Sequence, residues 1–156
     1  MGLNIVLTDC NGELIDELTP SGGGTWTETI IHSFQGNLTD GAQPGPGALV
    51  FDAAGNLYGA TTTGGTSFQG ALFEFTPSAG GVWAESILHN FAAGRGGNFP
   101  SSFVTLDSAG NIYGTTLYDN ASVYENRHGI TASTLGRADT NSSRDWRLLL
   151  PGHYTF

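Results

Sequence analysis

The chain has no lysine, a single cysteine and few charged residues of any kind. Its 156 residues include 5 arginines and 14 acidic residues, which gives a formal net charge of −9. Phosphate binding requires a cationic patch, so we predict that nucleic acid is not a partner. The lone cysteine, Cys10, excludes an internal disulfide framework and a thiolate metal cluster.

Long apolar runs and helical periodicity are also missing, and we expect no secretory leader. Residues 1–11 are apolar in part but lack a basic segment, so we predict no signal peptide. No run approaches the length needed to cross a bilayer, so we predict no membrane insertion. No segment combines a helical apolar period with helix caps, so we predict little helix. The 24 glycines are instead typical of a turn-rich β protein.

One octapeptide occurs twice, as DAAGNLYG from Asp52 and as DSAGNIYG from Asp107, 55 residues later. In each copy an apolar run ends at the Asp and another begins at Leu or Ile. The Asp side chain can accept hydrogen bonds from backbone N–H groups further along the turn, while Gly and Asn tolerate left-handed backbone angles. The octapeptide therefore predicts a hairpin turn.

A longer motif repeats as well, since residues 17–34 align without gaps on residues 74–91 with 11 of 18 positions identical. Such self-similarity indicates a propeller, a solenoid or an array. One unit contains four β-like runs bounded by turn-forming residues, at 48–52, 57–62, 71–77 and 82–91. We therefore predict an all-β fold of tandem four-stranded antiparallel sheets, the layout of β-propeller blades.

The last run of the unit carries an alternating pattern. Every second residue of this run recurs 57 positions later, whereas the residues between them change. The recurring residues are Trp26, Glu28, Ile30, His32 and Phe34 in the first copy and Trp83, Glu85, Ile87, His89 and Phe91 in the second. Alternate side chains of a regular strand point to one face of the sheet. The pattern predicts that all five share one face, which packs against a neighbouring sheet.

Two regions follow from these repeats. Residues 1–119 are predicted to form the β-repeat region, beginning with part of a first unit and ending within a third. Residues 120–156 carry four of the five arginines and no clear copy of the repeat, so we predict a divergent tail that is irregular or weakly ordered.

About 55 residues per unit allows two to three blades, fewer than the four to eight of a closed propeller. We therefore expect a fragment, an open stack, or self-association through sheet edges.

The pattern GGxWxExI-I/L-HxF followed by FDxxGNLYGxTT resembles the repeats of bacterial proteins called choice-of-anchor tandem repeat GloVer-containing proteins. The resemblance covers about residues 13 to 117. The DxxGNxY element is also similar to NHL and gluconolactonase-like propellers. The resemblance implies an exported, surface-anchored bacterial parent of unassigned biochemical role, with an extracellular or cell-surface location.

The motif contains Glu and His residues that resemble acid/base or metal-binding pairs. Glu28 and His32, however, are four residues apart in one strand, about 13 Å at the usual rise, and cannot touch. The Glu85 and His89 pair has the same spacing. Because the pair is repeated, and an active site needs one unique constellation, we favour a structural role for both histidines.

The turn residues are a second set of candidates. Asp52 with Asn56, and Asp107 with Asn111, offer oxygen atoms that calcium could use. Calcium requires six to eight oxygens, more than these short loops supply, so we favour turn formation. We therefore predict no catalytic, cofactor-binding or metal-binding residue and no cofactor.

The sequence favours a noncatalytic repeat, scaffold or ligand-display module of an exported bacterial protein, which is not an enzyme and whose ligand the sequence does not identify. Two alternatives stay open. The chain could be part of a propeller enzyme of the lactonase or lyase type, with a metal or a His in the central channel. It could also be a truncated product without an independent function.

Overall fold

The computed structural model describes residues 5–8, 13–45, 49–93, 98–100, 103–118 and 123–126. Within these ranges the chain is all-β and contains no helix. The strands form three antiparallel sheets, none of which closes on itself. The predicted all-β class is confirmed.

The first sheet has three strands in the order β1-β2-β3: β1 (Ile5–Thr8), β2 (Leu14–Gly22) and β3 (Thr25–Ser33). β2 and β3 are joined by a tight turn in which Gly22, Gly23 and Gly24 all have positive φ. Three consecutive residues in that conformation favour glycine, which alone adopts it without a steric penalty. The dipeptide Asn11-Gly12, which from the sequence favours a hairpin turn before β2, lies outside the described residues.

The second sheet runs β4-β6-β7-β8, and a short β5 also pairs with β6. The strands are β4 (Gly41–Pro44), β5 (Val50–Phe51), β6 (Leu57–Gly64), β7 (Ala71–Pro77) and β8 (Trp83–Asn90). All four predicted runs contain a strand: the run at 48–52 includes β5, and the other three match β6, β7 and β8. Residues 35–47 are rich in Gly and Pro, which from the sequence alone predicts a loop; that prediction is wrong, because β4 lies there. Gly41 and Pro44 have low strand propensity, and Pro is tolerated because β4 is an edge strand.

The third sheet repeats this order, with β9 (Asn98–Pro100), β10 (Thr105–Leu106), β11 (Ile112–Tyr118) and β12 (Val123–Asn126). β11 pairs with all three of the others. β12 lies within the predicted irregular tail. Its Glu125 is opposite Tyr113, as Glu74 is opposite Tyr58 in the second sheet, so a third strand is present despite its divergent sequence. Residues 127–156 lie outside the described residues.

A β-bulge interrupts both copies of the long motif at the same place. Asp16 pairs with Ile30 but Ile15 with His32, which leaves Ile31 as the extra residue of β3. In β8 the extra residue is Leu88, because Phe73 pairs with Ile87 and Leu72 with His89. A bulge breaks the alternation of faces. The prediction that the five recurring side chains share one face is therefore wrong.

The bulge divides the motif of β8 between two cores. Trp83 and Ile87, which precede it, pack on the cluster between the first and second sheets, whose buried members are Ile15, Phe34, Leu57, Phe73 and Phe75. Leu88 and Phe91 belong to the cluster between the second and third sheets, whose other members include Tyr58, Ala60, Leu72, Val104 and Ile112. The second sheet is thus covered on both faces, so β6 is buried along most of its length.

The first of these cores requires a glycine in β6. A Cβ atom at Gly59 would overlap the ring of Phe73 and lie 2.9 Å from Leu49 Cδ2. Such a distance is shorter than any van der Waals contact, so a side chain at this position would displace the aromatic core. The Gly that follows Tyr in the octapeptide is therefore explained by close packing against the backbone.

Candidate functional site

The two octapeptide turns have the same hydrogen bonds. Asp52 Oδ1 accepts bonds from the backbone N–H groups of Ala54 (2.9 Å) and Asn56 (2.8 Å), and Oδ2 accepts one from Asn56 Nδ2 (2.9 Å). The Tyr58 hydroxyl lies 3.2 Å from Oδ2 and shares its single hydrogen between this atom and Glu74 Oε1. Asp107 has the matching four donors. The predicted turn-forming role of both Asp residues is confirmed.

These bonds lower the pKa of the Asp side chain in each turn. Burial by itself would raise the pKa of Asp52, but the side-chain and backbone bonds from Asn56, with those from Tyr58 and Ala54, lower it below its ordinary value. The Asn111 side chain is the largest cause that lowers the pKa of Asp107. Burial, and then the hydrogen bond and charge of Glu74, raise the pKa of Tyr58. The Tyr58 hydroxyl donates to Glu74 Oε1 at 2.8 Å and so links the turn to β7.

His32 faces the second sheet because it follows the bulge of β3. Its ring packs edge-on against Phe34, with centroids 4.6 Å apart, and lies 5.0 Å from the ring of Phe75. The side chain is 21% exposed. The aromatic neighbours restrict the imidazole orientation and direct Nε2 toward two carboxylates.

The first carboxylate is Asp40, which directly precedes β4. Its side chain is 8% exposed, and its Oδ1 lies 3.3 Å from His32 Nε2. Its other oxygen, Oδ2, accepts a 2.6 Å hydrogen bond from the backbone N–H of Gln35. The Asp40 carbonyl accepts a bond from the N–H of Gly65 at 2.7 Å, which attaches this loop to the end of β6. Asp40 is therefore held in place from both its side chain and its backbone.

The second carboxylate is Glu85, which comes from the neighbouring sheet. Glu85 precedes the bulge of β8 and so faces the first sheet, where its Oε2 lies 3.8 Å from His32 Nε2. Its Oε1 is buried and has no hydrogen-bond partner among the described residues. Burial, and then the charge of Asp40 and a hydrogen bond to it, raise the pKa of Glu85 to about 7.

Sequence reasoning missed this cluster, which comprises His32, Asp40 and Glu85. From the sequence, His32 is weighed only against Glu28 of the same strand, which is too distant to touch it, and Asp40 is not identified as a neighbour. Glu85 precedes the bulge of its strand and faces the first sheet, whereas His32 follows the bulge of its strand and faces the second sheet. The two side chains therefore meet between the sheets. Within the described part of the chain, this is the one group of three His, Cys, Asp or Glu side chains arranged so that it could hold a metal ion.

The second histidine of the motif has a different environment. The ring of His89 packs edge-on against Phe91, with centroids 4.8 Å apart, as His32 does on Phe34. Burial lowers the pKa of His89. Pro100 pairs with Thr116 as Pro44 pairs with Thr61, and this correspondence aligns Asp40 with Gly96 in the sequence. The carboxylate beside His32 is therefore not repeated at that position.

A shallow cleft lies apart from this cluster, at one end of the first two sheets. Its walls are formed by Glu17, Phe51, Pro77, Ser78, Gly81, Val82 and Trp83. Glu17 is the one ionisable side chain in this lining. The cleft thus lacks the converging polar groups that are typical of an enzyme site.

No protein-family model, curated protein or solved structure matches this chain. Among the described residues, no helix is long and apolar enough to span a membrane.

Proposed function

We propose that this chain is a noncatalytic β-repeat module of an exported bacterial protein, with a role in scaffolding or ligand display. The observation that supports it most is the division of the duplicated strand motif between two cores. Trp83 and Ile87 pack toward the first sheet, while Leu88 and Phe91 pack toward the third. A motif built to contact both neighbours is what a stack of equivalent sheets requires.

The propeller interpretation belongs to this proposal. The second sheet has the four-stranded antiparallel order of a blade. The first sheet has the counterparts of its last three strands, and the third sheet has counterparts of the first three. We propose an incomplete propeller of two to three blades, and membership in the GloVer-containing repeat proteins. The parent protein would then be exported to the cell surface.

The outer face of the first sheet is consistent with a stacked arrangement. Trp26 is 48% exposed and Ile30 is 59% exposed, although their counterparts Trp83 and Ile87 pack in a core. Exposed apolar side chains and open sheet edges favour association with a further sheet of the same kind. This is the contact through which we propose self-association.

An enzyme of the lactonase or lyase type is the second candidate, and the cluster around His32 is the observation that favours it. A histidine between two carboxylates can act in acid/base chemistry. The test is a panel of lactones, esters and polysaccharides assayed with the wild-type chain, His32→Gln and His89→Gln. The scaffold proposal expects no turnover by any of the three. Turnover that disappears in one histidine variant, with the fold intact by circular dichroism, would contradict it.

A further inference from the structure

The cluster of His32, Asp40 and Glu85 has the geometry of a metal site that spans two sheets. One ligand atom from each residue can be chosen so that all lie within 4.8 Å of one another. His32 Nε2 is 3.3 Å from Asp40 Oδ1 and 3.8 Å from Glu85 Oε2. Ligands bound tetrahedrally to zinc at about 2.0–2.1 Å are separated by about 3.3 Å. The two separations from His32 Nε2 are thus close to that spacing.

The second observation is an imbalance of charge and hydrogen bonding inside the cluster. Glu85 Oε1 is buried and has no hydrogen-bond partner among the described residues. A buried carboxylate oxygen without a partner is costly, and the usual remedies are a donor or a cation. The chain has no lysine, and no arginine lies within the described ranges. Of the two histidines in those ranges, only His32 lies beside the two acids, so it is the one side chain there that can bring them positive charge.

The surroundings also hold the candidate ligands in position. The Gln35 N–H bonds Asp40 Oδ2 and leaves Oδ1 directed at His32. The rings of Phe34 and Phe75 restrict the imidazole. Support of this kind from outside the ligand set orients the ligands of protein metal sites. Calcium and magnesium prefer oxygen ligands in larger number, whereas an imidazole with two carboxylates suits zinc and related ions.

We propose that His32, Asp40 and Glu85 bind one divalent transition-metal ion, with Zn²⁺ the best fit, and that this ion links the first sheet to the second. Three protein ligands leave a fourth position for water or a ligand group. The site goes beyond the scaffold role, because it adds a metal-dependent contact between sheets that are otherwise joined by apolar packing. Its failure would leave the scaffold proposal intact.

The test uses the full chain treated with a chelator and then dialysed. Titration with ZnCl₂ is followed by isothermal calorimetry, and thermal unfolding is measured with and without zinc. We expect one ion per chain and a rise in Tm of at least about 5 °C at saturating zinc, because a ligand that binds the folded state stabilises it. MgCl₂ at the same concentration is expected to leave Tm unchanged.

Matched variants identify the ligands. Glu85→Gln and His32→Gln are expected to weaken zinc binding by at least about 10-fold, the loss that even an outer-shell partner of a metal produces. Their counterparts Glu28→Gln and His89→Gln, at the same positions of the other strand copy, are expected to bind zinc like the wild type. Absence of zinc binding by the wild type, or equal binding by all four variants, would overturn the proposal.

A spectroscopic measurement on the wild type covers the case in which a ligand variant does not fold. Co²⁺ replaces Zn²⁺, and the visible absorption reports the coordination number while the imidazole NMR signals identify the bound histidine. We expect the strong bands of a four-coordinate site and a shift of the His32 ring signals. Weak six-coordinate bands, or shifts confined to other histidines, would refute the site.

Discussion

Strands β3 and β8 carry the same motif but are buried to different degrees. Trp26 and Ile30 of β3 are 48% and 59% exposed, whereas Trp83 and Ile87 of β8 pack in the core between the first two sheets. Beyond the bulge the copies agree, since Phe34 and Phe91 are both buried. The difference shows that residues before the bulge contact the preceding sheet and residues after it contact the following one.

The histidines of the two strands extend this comparison. Each packs edge-on against the Phe two residues later, but only His32 lies beside Asp40 and Glu85 among the described contacts. The carboxylates come from a loop and from another strand, neither of which belongs to the motif around His32. A repeated strand therefore acquires a unique polar cluster from its neighbours.

The largest expected effect is the stability lost on removing Phe34 or Phe91, the buried aromatic residue that follows the bulge in each strand. Phe91→Ala and Phe34→Ala should each lower the free energy of unfolding by about 3–5 kcal/mol, because each removes a buried aromatic ring and leaves a cavity. Urea denaturation measures the loss. A much smaller loss for one than for the other would break the proposed equivalence of the two cores.

The next largest effect is a pH dependence of stability that arises from Glu85 and not from Glu28. It is measured on protein kept free of metal by a chelator. The folded pKa of Glu85, about 7, lies above its ordinary value of 4.5, so the folded state holds the proton more tightly. Stability should fall as pH rises from about 4.5 through about 7 and then level off. Glu85→Gln should remove this fall.

The measurement is urea denaturation at pH 5 and pH 8. We expect the stability of Glu85→Gln relative to the wild type to rise by about 2 kcal/mol from pH 5 to pH 8, since one pKa unit corresponds to about 1.4 kcal/mol and partial solvation reduces the total. Glu28→Gln, on an exposed face, is the control. Equal pH dependence in wild type and Glu85→Gln would refute the assignment.

A smaller effect compares the stability lost on removing Trp83 with that lost on removing Trp26. Trp83→Ala should cost about 1–2 kcal/mol of unfolding free energy, because the ring is partly buried against the core. Trp26→Ala should change it by less than about 0.5 kcal/mol, as is usual for exposed positions. Chemical denaturation at low protein concentration, at which association is suppressed, makes the comparison. Similar losses for both would show that Trp26 is covered in solution.

The smallest effect is the change in pKa of the Asp in each octapeptide turn, one in the second sheet and one in the third. NMR titration should give pKa values below the ordinary 3.8 for both Asp52 and Asp107. Asn56→Ala should raise the pKa of Asp52, and Asn111→Ala should raise that of Asp107, since each removes a bond to the charged carboxylate. A group with a lowered folded pKa stabilises the fold above its ordinary pKa and loses that contribution as pH falls. A shift in only one turn would contradict their equivalence.

The sequence was most informative where structure is local. The turns at Asp52 and Asp107 follow from Asp, Gly and Asn within five positions, and every bond involved joins near neighbours in the chain. β4 was missed because Gly41 and Pro44 carry no strand signal and pair only when β6 is present. The bulges at Ile31 and Leu88 were missed for a similar reason, since these residues have ordinary strand propensity.

The amino-acid sequence by itself determined the all-β class, the positions of the longer strands and the chemistry of both turns, because propensity and turn formation depend on residues close together in the chain. Only the tertiary structure decided which side chains face which sheet and which acids surround His32. Those outcomes depend on the register between strands and on contacts across two sheets, where Glu85 meets a histidine 53 positions earlier.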